Sequence, residues 1–226
     1  MDGQHRLYLI RPFNWGRDYY DWPLWTTDPA GRDALRAHLR VGDFAGALDF
    51  VDKPELWHAY QAMWPDIPPD QRYAIFREIY ARSESGFGSL DWRGLRRIFA
   101  SRAAWAEAGA IQDALRRLAD AKGSLTIYRG VGRHSTPADS ALSWTTSLET
   151  AQWFARRYAQ FEPTGDGGTV WRARVRADEV WDYLTDRDES EILVDPETLR
   201  DLEIVADPGT EKAPTSAGEG PSSSLC

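Results

Sequence analysis

Gly123-Ser124-Leu125-Thr126-Ile127-Tyr128-Arg129-Gly130, and a little later Leu142-Ser143-Trp144-Thr145-Thr146-Ser147, mark the point where the chain changes texture. Leu125 to Tyr128 is short and rich in β-branched and aromatic residues, and it predicts a strand closed by Arg129-Gly130. A polar loop from Arg133 to Ser140 leads into the second run. Glu149 to about Tyr158 then predicts a helix with Ala151, Phe154 and Ala155 on one face. Strand, strand and helix within about 35 residues place the start of a sheet near residue 123.

Downstream, Gly165-Asp166-Gly167-Gly168 reads as a turn. Thr169 to Arg176 alternates Val170, Ala173 and Val175 with polar residues, as a half-buried strand does. Glu191-Ile192-Leu193-Val194 predicts another strand, closed by Asp195-Pro196, and Leu202 to Val205 the last. From Pro208 onward Gly, Pro, Ser and Thr dominate, the composition of a disordered tail.

Upstream, the chain reads as helices. Asp28-Pro29 supplies an N-cap and a proline at the first helical position, opening a helix to about His38 that Gly42 ends. Pro54 starts another carrying Leu56, Trp57, Tyr60 and Met63 at helical spacing. Pro68-Pro69-Asp70 starts a third with Tyr73, Phe76, Ile79 and Tyr80 on one face. Gly86-Phe87-Gly88 reads as a loop, Asp91 caps a segment with Leu95, Ile98 and Phe99, and an Ala-rich helix is expected from about Arg102 to Ala121. Seven of the 11 tryptophans lie in this half, on apolar faces, where they read as core anchors. The expectation is an α+β chain: a helical N-terminal layer over 1–104, a catalytic core over 105–206 and a tail over 207–226.

Composition narrows the function classes. The 226 residues are 42% hydrophobic and 27% charged, with a formal net charge of −8. No apolar run approaches the ~20 residues of a membrane span. The first residues, MDGQHRLYLIRPFNWG, lack a signal-peptide cleavage pattern, so the reading is a cytoplasmic protein or one delivered into a target cell without such a signal. The single cysteine is Cys226, and His5, His38, His58 and His134 are scattered, so neither a disulfide framework nor a metal site is expected. Lys plus Arg against Asp plus Glu stands at 16 to 17 over residues 1–120, 10 to 15 over 121–206 and 1 to 3 beyond. None of these is the basic footprint of a polyanion binder.

Three segments carry reactive side chains at strand ends: Tyr128-Arg129-Gly130, Ser143-Trp144-Thr145-Thr146-Ser147 and Glu189-Ser190-Glu191. Each alone is commonplace. In this order they resemble the arginine–serine–glutamate class of mono-ADP-ribosyltransferases, which includes bacterial toxins and bacteriophage host-modifying enzymes. The resemblance covers roughly residues 105–206. Arg129 matches the first motif, Ser143 to Phe154 the Ser-Thr-Ser strand and following helix, and Glu189-Ser190-Glu191-Ile192-Leu193 the Glu-X-Glu motif. Thr145 stands where the family has its first serine; its hydroxyl can make the same hydrogen bond.

The resemblance implies a core of two packed sheets, NAD as co-substrate and no metal. Cleaving the nicotinamide–ribose bond develops positive charge on the ribose, and a carboxylate beside it lowers the barrier. That role maps to Glu191, oriented by Thr145. A guanidinium can grip the diphosphate with two prongs, which maps to Arg129, with Gly130 allowing close backbone approach. Tyr128, Trp144, Thr146, Ser147 and Phe154 map to the cofactor pocket. Glu189 implies arginine as acceptor. Asp182, Asp186, Asp188 and Glu189 crowd the preceding loop, an environment that attracts a guanidinium and repels a nucleic-acid backbone. Arg172, Arg174 and Arg176 alternate on one strand and are expected to snorkel over their neighbours or pair with acids rather than to bind RNA.

The expected activity is NAD-dependent transfer of ADP-ribose to an arginine of a target protein, in a toxin, effector or phage host-modifier role. An antitoxin or immunity protein is an expected partner if the chain is a toxin. The alternatives are a nucleic acid or nucleotide acceptor, which the acidic balance disfavours, NAD glycohydrolysis, and a non-enzymatic binding module on the same fold.

Overall fold

The computed structural model describes residues 25–26, 28–83, 92–133, 135–157, 168–185 and 189–206. It divides into two compact units, Met1–Gly109 and Ala110–Cys226.

In the first unit, Asp28 caps α1 (Pro29–Arg40) by accepting from the amides of Ala30 and Gly31, as Asp-Pro at a helix start predicts. A short α2 (Phe44–Leu48) follows, capped by Asp43. The aromatic core is built by α3 (Leu56–Met63), α4 (Pro69–Arg82) and α5 (Trp92–Ala100). Leu56, Trp57, Tyr60, Met63, Tyr73, Phe76 and Ile79 are all sealed from solvent, as their helical spacing predicts. Phe76 sits at the centre of an aromatic cluster, 5.0 Å from the Phe99 ring and 5.7 Å from that of Trp57. The Gly86–Gly88 loop and the Asp91 cap lie outside the described residues.

The long Ala-rich helix does not form as one piece. A 3-10 turn (Ser101–Ala104) ends at Trp105, whose backbone is extended, and α6 (Ala108–Leu118) begins only after this break. The reason is Trp105 itself. Its ring packs 5.4 Å from Tyr73, with the Arg77 guanidinium 5.2 Å above it, and an uninterrupted helix would give up that placement.

The second unit is built on one six-stranded antiparallel sheet in the order β4-β5-β2-β1-β3-β6, and the chain is α+β. The strands are β1 (Ser124–Val131), β2 (Ser143–Thr145), β3 (Thr169–Arg176), β4 (Val180–Leu184), β5 (Glu191–Val194) and β6 (Arg200–Ala206). All described strands join this sheet, so the second sheet of the expected core is not among them. The bounds of β3 and β5 are those the residue pattern predicts. β4 was not anticipated: Val180-Trp181-Asp182-Tyr183-Leu184 has strand composition, but its aspartate suggested a loop.

Helix α7 (Leu148–Arg156) lies across β1, β2 and β3. Ala151 and Ala155 bury against Val170, with Tyr128 packed on the cluster. Small residues on the helix let it approach the sheet at backbone distance. A Cβ on Gly130 would fall 2.2 Å from the Ala151 carbonyl oxygen and 2.5 Å from the Ala155 nitrogen, with the Phe154 Cβ at 2.9 Å. A Cβ on Gly168 would meet the Val131 backbone equally closely.

Candidate active site

Strand β2 is only three residues long, yet it meets both chemistry-bearing neighbours. Tyr128 of β1 stands opposite Thr145, and Thr145 stands opposite Glu191 of β5. Directly opposed residues of an antiparallel pair share a face, so these three form one cross-strand row. Ser143, two residues before Thr145, is on the same face by the period of the strand.

The hub is Ser143. Its Oγ donates to Glu191 Oε1 at 2.5 Å, while its carbonyl accepts from Arg129 Nη1 at 2.5 Å. The other arm of the guanidinium, Nη2, donates to the Thr136 carbonyl at 3.3 Å. One residue therefore ties the arginine to the glutamate. Glu191 is half-buried, as is Arg129.

Thr145 does something other than expected. It is 6% exposed, and its hydroxyl donates to the backbone carbonyl of Glu189 at 2.6 Å, not to the Glu191 carboxylate. The same oxygen accepts from the Ser147 amide at 3.0 Å. Thr146 adds a second tie, its amide donating to the Ser190 carbonyl at 3.1 Å. Between the two glutamates, Ser190 is left-handed, with φ 46°. Such a residue, when not glycine, costs roughly 1–2 kcal/mol, which the surrounding bonds must outweigh.

The remaining expected site residues have local structural duties. Gly130 makes room for α7, so its missing side chain serves helix packing and is not available for approach to a phosphate. Tyr128 covers the Ala151–Ala155–Val170 cluster. Trp144 is buried, its Nε1 donating to the Ala141 carbonyl at 3.2 Å, and it is core rather than pocket wall. Ser147 is the N-cap of α7, accepting from the Thr150 amide at 3.1 Å. Phe154 is half-buried on α7, edge-on to the exposed Trp153 at 4.9 Å.

Two further expectations change. Arg129 is not at the end of its strand: β1 continues to Val131, and Arg129 stands opposite Trp171. The β1–β2 ladder pairs only Tyr128 with Thr145, and the Arg129 guanidinium reaches along β2 to the Ser143 carbonyl. Asp182 is not in the acidic loop but wholly buried in β4, accepting from the Tyr183 amide at 2.7 Å. Asp186, Arg187 and Asp188 lie outside the described residues. The arginines of β3 pair with acids, as expected: Arg172 with Glu203, Arg174 with Asp120, and Arg176 with Asp178 at 2.8 Å.

Ser143 is the residue that motif reading missed. The available signal was strand period: a hydroxyl two positions before Thr145 lies on the same face, diagonal to the facing strand's carboxylate and within reach of that long side chain. Among the described residues, no group of three or more His, Cys, Asp or Glu side chains is placed to hold a metal ion. No family model, curated protein or solved structure matches this chain.

Proposed function

We propose that the chain is a mono-ADP-ribosyltransferase with an ADP-ribosyltransferase-like core, transferring ADP-ribose from NAD to an arginine side chain of a target protein. The observation that carries this reading is the link at Ser143, which joins Arg129 of the first motif to Glu191 of the third through the strand that carries the second. A guanidinium and a carboxylate anchored to one residue fit the two charges of NAD, the diphosphate and the ribose that turns cationic as its bond to nicotinamide breaks.

In the proposed reaction the bond between the nicotinamide nitrogen and ribose C1′ breaks, its electron pair leaving with neutral nicotinamide. Glu191 faces the resulting oxocarbenium ion and holds the ribose hydroxyl. Glu189 takes a proton from the acceptor guanidinium, whose nitrogen then bonds to C1′. The residues fit NAD with one reservation of geometry: Gly130 is occupied by α7, so the diphosphate grip falls to Arg129 alone. The acidic balance of the sheet unit favours a cationic acceptor over a nucleic acid. An arginine-rich protein surface is the partner expected, and an antitoxin or immunity protein a second partner if the chain acts as a toxin in a cytoplasm. Incubation with NAD labelled in its adenylate moiety and a cell lysate tests the reading. Label removed by protease supports it; label removed by nuclease, free ADP-ribose alone, or no turnover of NAD rejects it in favour of nucleic-acid transfer, hydrolysis or a binding module respectively.

A further inference from the structure

The two hydroxyls of β2 are bound to different glutamates in different ways, and this separation carries more than the motif does. Ser143 donates to the side chain of Glu191, whereas Thr145 donates to the main chain of Glu189. Resting on the transferase reading above, we propose that β2 positions the two half-reactions separately: Ser143 aims the Glu191 carboxylate for nicotinamide release, and Thr145 sets the Glu189 turn for capture of the acceptor.

The geometry supports the split from three sides. Ser143 reaches Arg129 only through its carbonyl, so removing its hydroxyl disturbs the carboxylate and leaves the guanidinium anchor in place. Without that bond the carboxylate is less tightly oriented, and the loss falls on the step in which charge develops. Thr145 touches neither the Glu191 carboxylate nor Arg129 among its hydrogen bonds; it grips the carbonyl just before the left-handed Ser190. With the Thr146 amide on the Ser190 carbonyl, the end of β2 holds two successive carbonyls of the Glu-Ser-Glu turn. Glu189 lies in a bend, Ser190 is left-handed and Glu191 opens β5, so the direction in which Glu189 projects depends on this grip. Neither hydroxyl takes part in bond making. Both are positioning residues.

The test measures nicotinamide release and transfer to a guanidino acceptor, agmatine, in parallel for four variants of the full chain. In Ser143→Ala, kcat for release should fall roughly tenfold, as loss of one oriented charge-assisted bond predicts. Its KM for NAD should stay within about twofold, because uniform binding is untouched, and the ratio of transfer to release should hold. Ser143→Thr, which restores a hydroxyl, should recover most of the rate. Thr145→Val keeps the shape and loses the hydroxyl; its ratio of transfer to release should drop at least roughly fivefold, since acceptor orientation is the entropic part of the reaction. Thr145→Ser should restore the ratio. A merely structural role would lower release and transfer together in Thr145→Val, or raise KM in Ser143→Ala, and either result overturns the proposal. If the wild-type chain releases no nicotinamide, the transferase reading fails and the division falls with it; release by the wild type with the wrong variant pattern rejects the division alone.

Discussion

Glu191 and Arg129 are the residues on which the chemistry is staked, and each makes its own prediction. Glu191→Gln keeps size and can still accept from Ser143 Oγ, so the fold and the local hydrogen bond survive. What it removes is the charge that, in the proposed reaction, faces the oxocarbenium ion. Activity should fall at least ~100-fold with NAD affinity little changed, measured as nicotinamide release against a thermal melt of the same preparation. Retention of more than about a tenth of the rate in a folded protein removes Glu191 from that role. Arg129→Lys loses the fork whose two arms reach the Ser143 and Thr136 carbonyls. An ammonium cannot span both and also face a diphosphate, so KM for NAD should rise roughly tenfold, the worth of one hydrogen bond to a charged group. An unchanged KM would make Arg129 a structural residue of the β1–β2 junction.

Among the elements, the parts readable from sequence were those whose local pattern and tertiary role agree. The Asp28 cap, the buried stripes of α3 and α4 and the whole of β3 follow from period and capping alone. The break at Trp105 was not readable, because a ring seated between Tyr73 and Arg77 overrides good helix propensity. β4 escaped because a buried carboxylate has no local signature. The motif picks out three segments that the sheet brings together, but not the duties within them: Gly130 answers to the approach of α7, and Ser147 to its first turn. Gly130→Ala should therefore destabilise the chain by roughly 1–3 kcal/mol and lower the melting temperature by several degrees. Gly132→Ala is the control, since a Cβ there meets nothing closer than 3.8 Å and should leave the melt unchanged.

The junction of α6 and β1 adds a pH-dependent prediction. The Asp120 carboxylate accepts from the Ser124 amide at 3.0 Å and the Lys122 amide at 2.9 Å, and pairs with Arg174. The Ser124 bond, then Arg174, hold its pKa down at about 2, from an ordinary 3.8. A carboxylate depressed on folding stabilises the native state above its unfolded pKa, and that contribution is lost as pH falls through the folded value. Asp120→Asn should thus lower the urea midpoint at pH 6, and the gap from wild type should close between about pH 4 and pH 2. A gap that persists at pH 2 would assign the effect to packing and not to charge.

On the scale of the whole molecule, the proposed transfer raises the question of its acceptor. The net charge of −8 and the pairing of Arg172, Arg174 and Arg176 with Glu203, Asp120 and Asp178 leave the sheet unit without a basic surface made by that row. A polyanion approaching it meets repulsion, and a cationic protein surface meets attraction that weakens as salt screens it. Glu189 is the residue whose chemistry tells the acceptors apart. A guanidinium is cationic and must lose a proton to attack, which a carboxylate can take; water needs less positioning and no such partner. Glu189→Gln keeps a polar side chain of the same size, so the turn held by Thr145 and Thr146 through main-chain carbonyls should be unaffected. Protein labelling should then be abolished while slow nicotinamide release continues, whereas Glu191→Gln removes both. Parallel measurement of the two activities in both variants reads the acceptor directly. Equal loss in Glu189→Gln places both glutamates on the ribose side of the reaction, and full labelling by Glu189→Gln removes arginine as the acceptor.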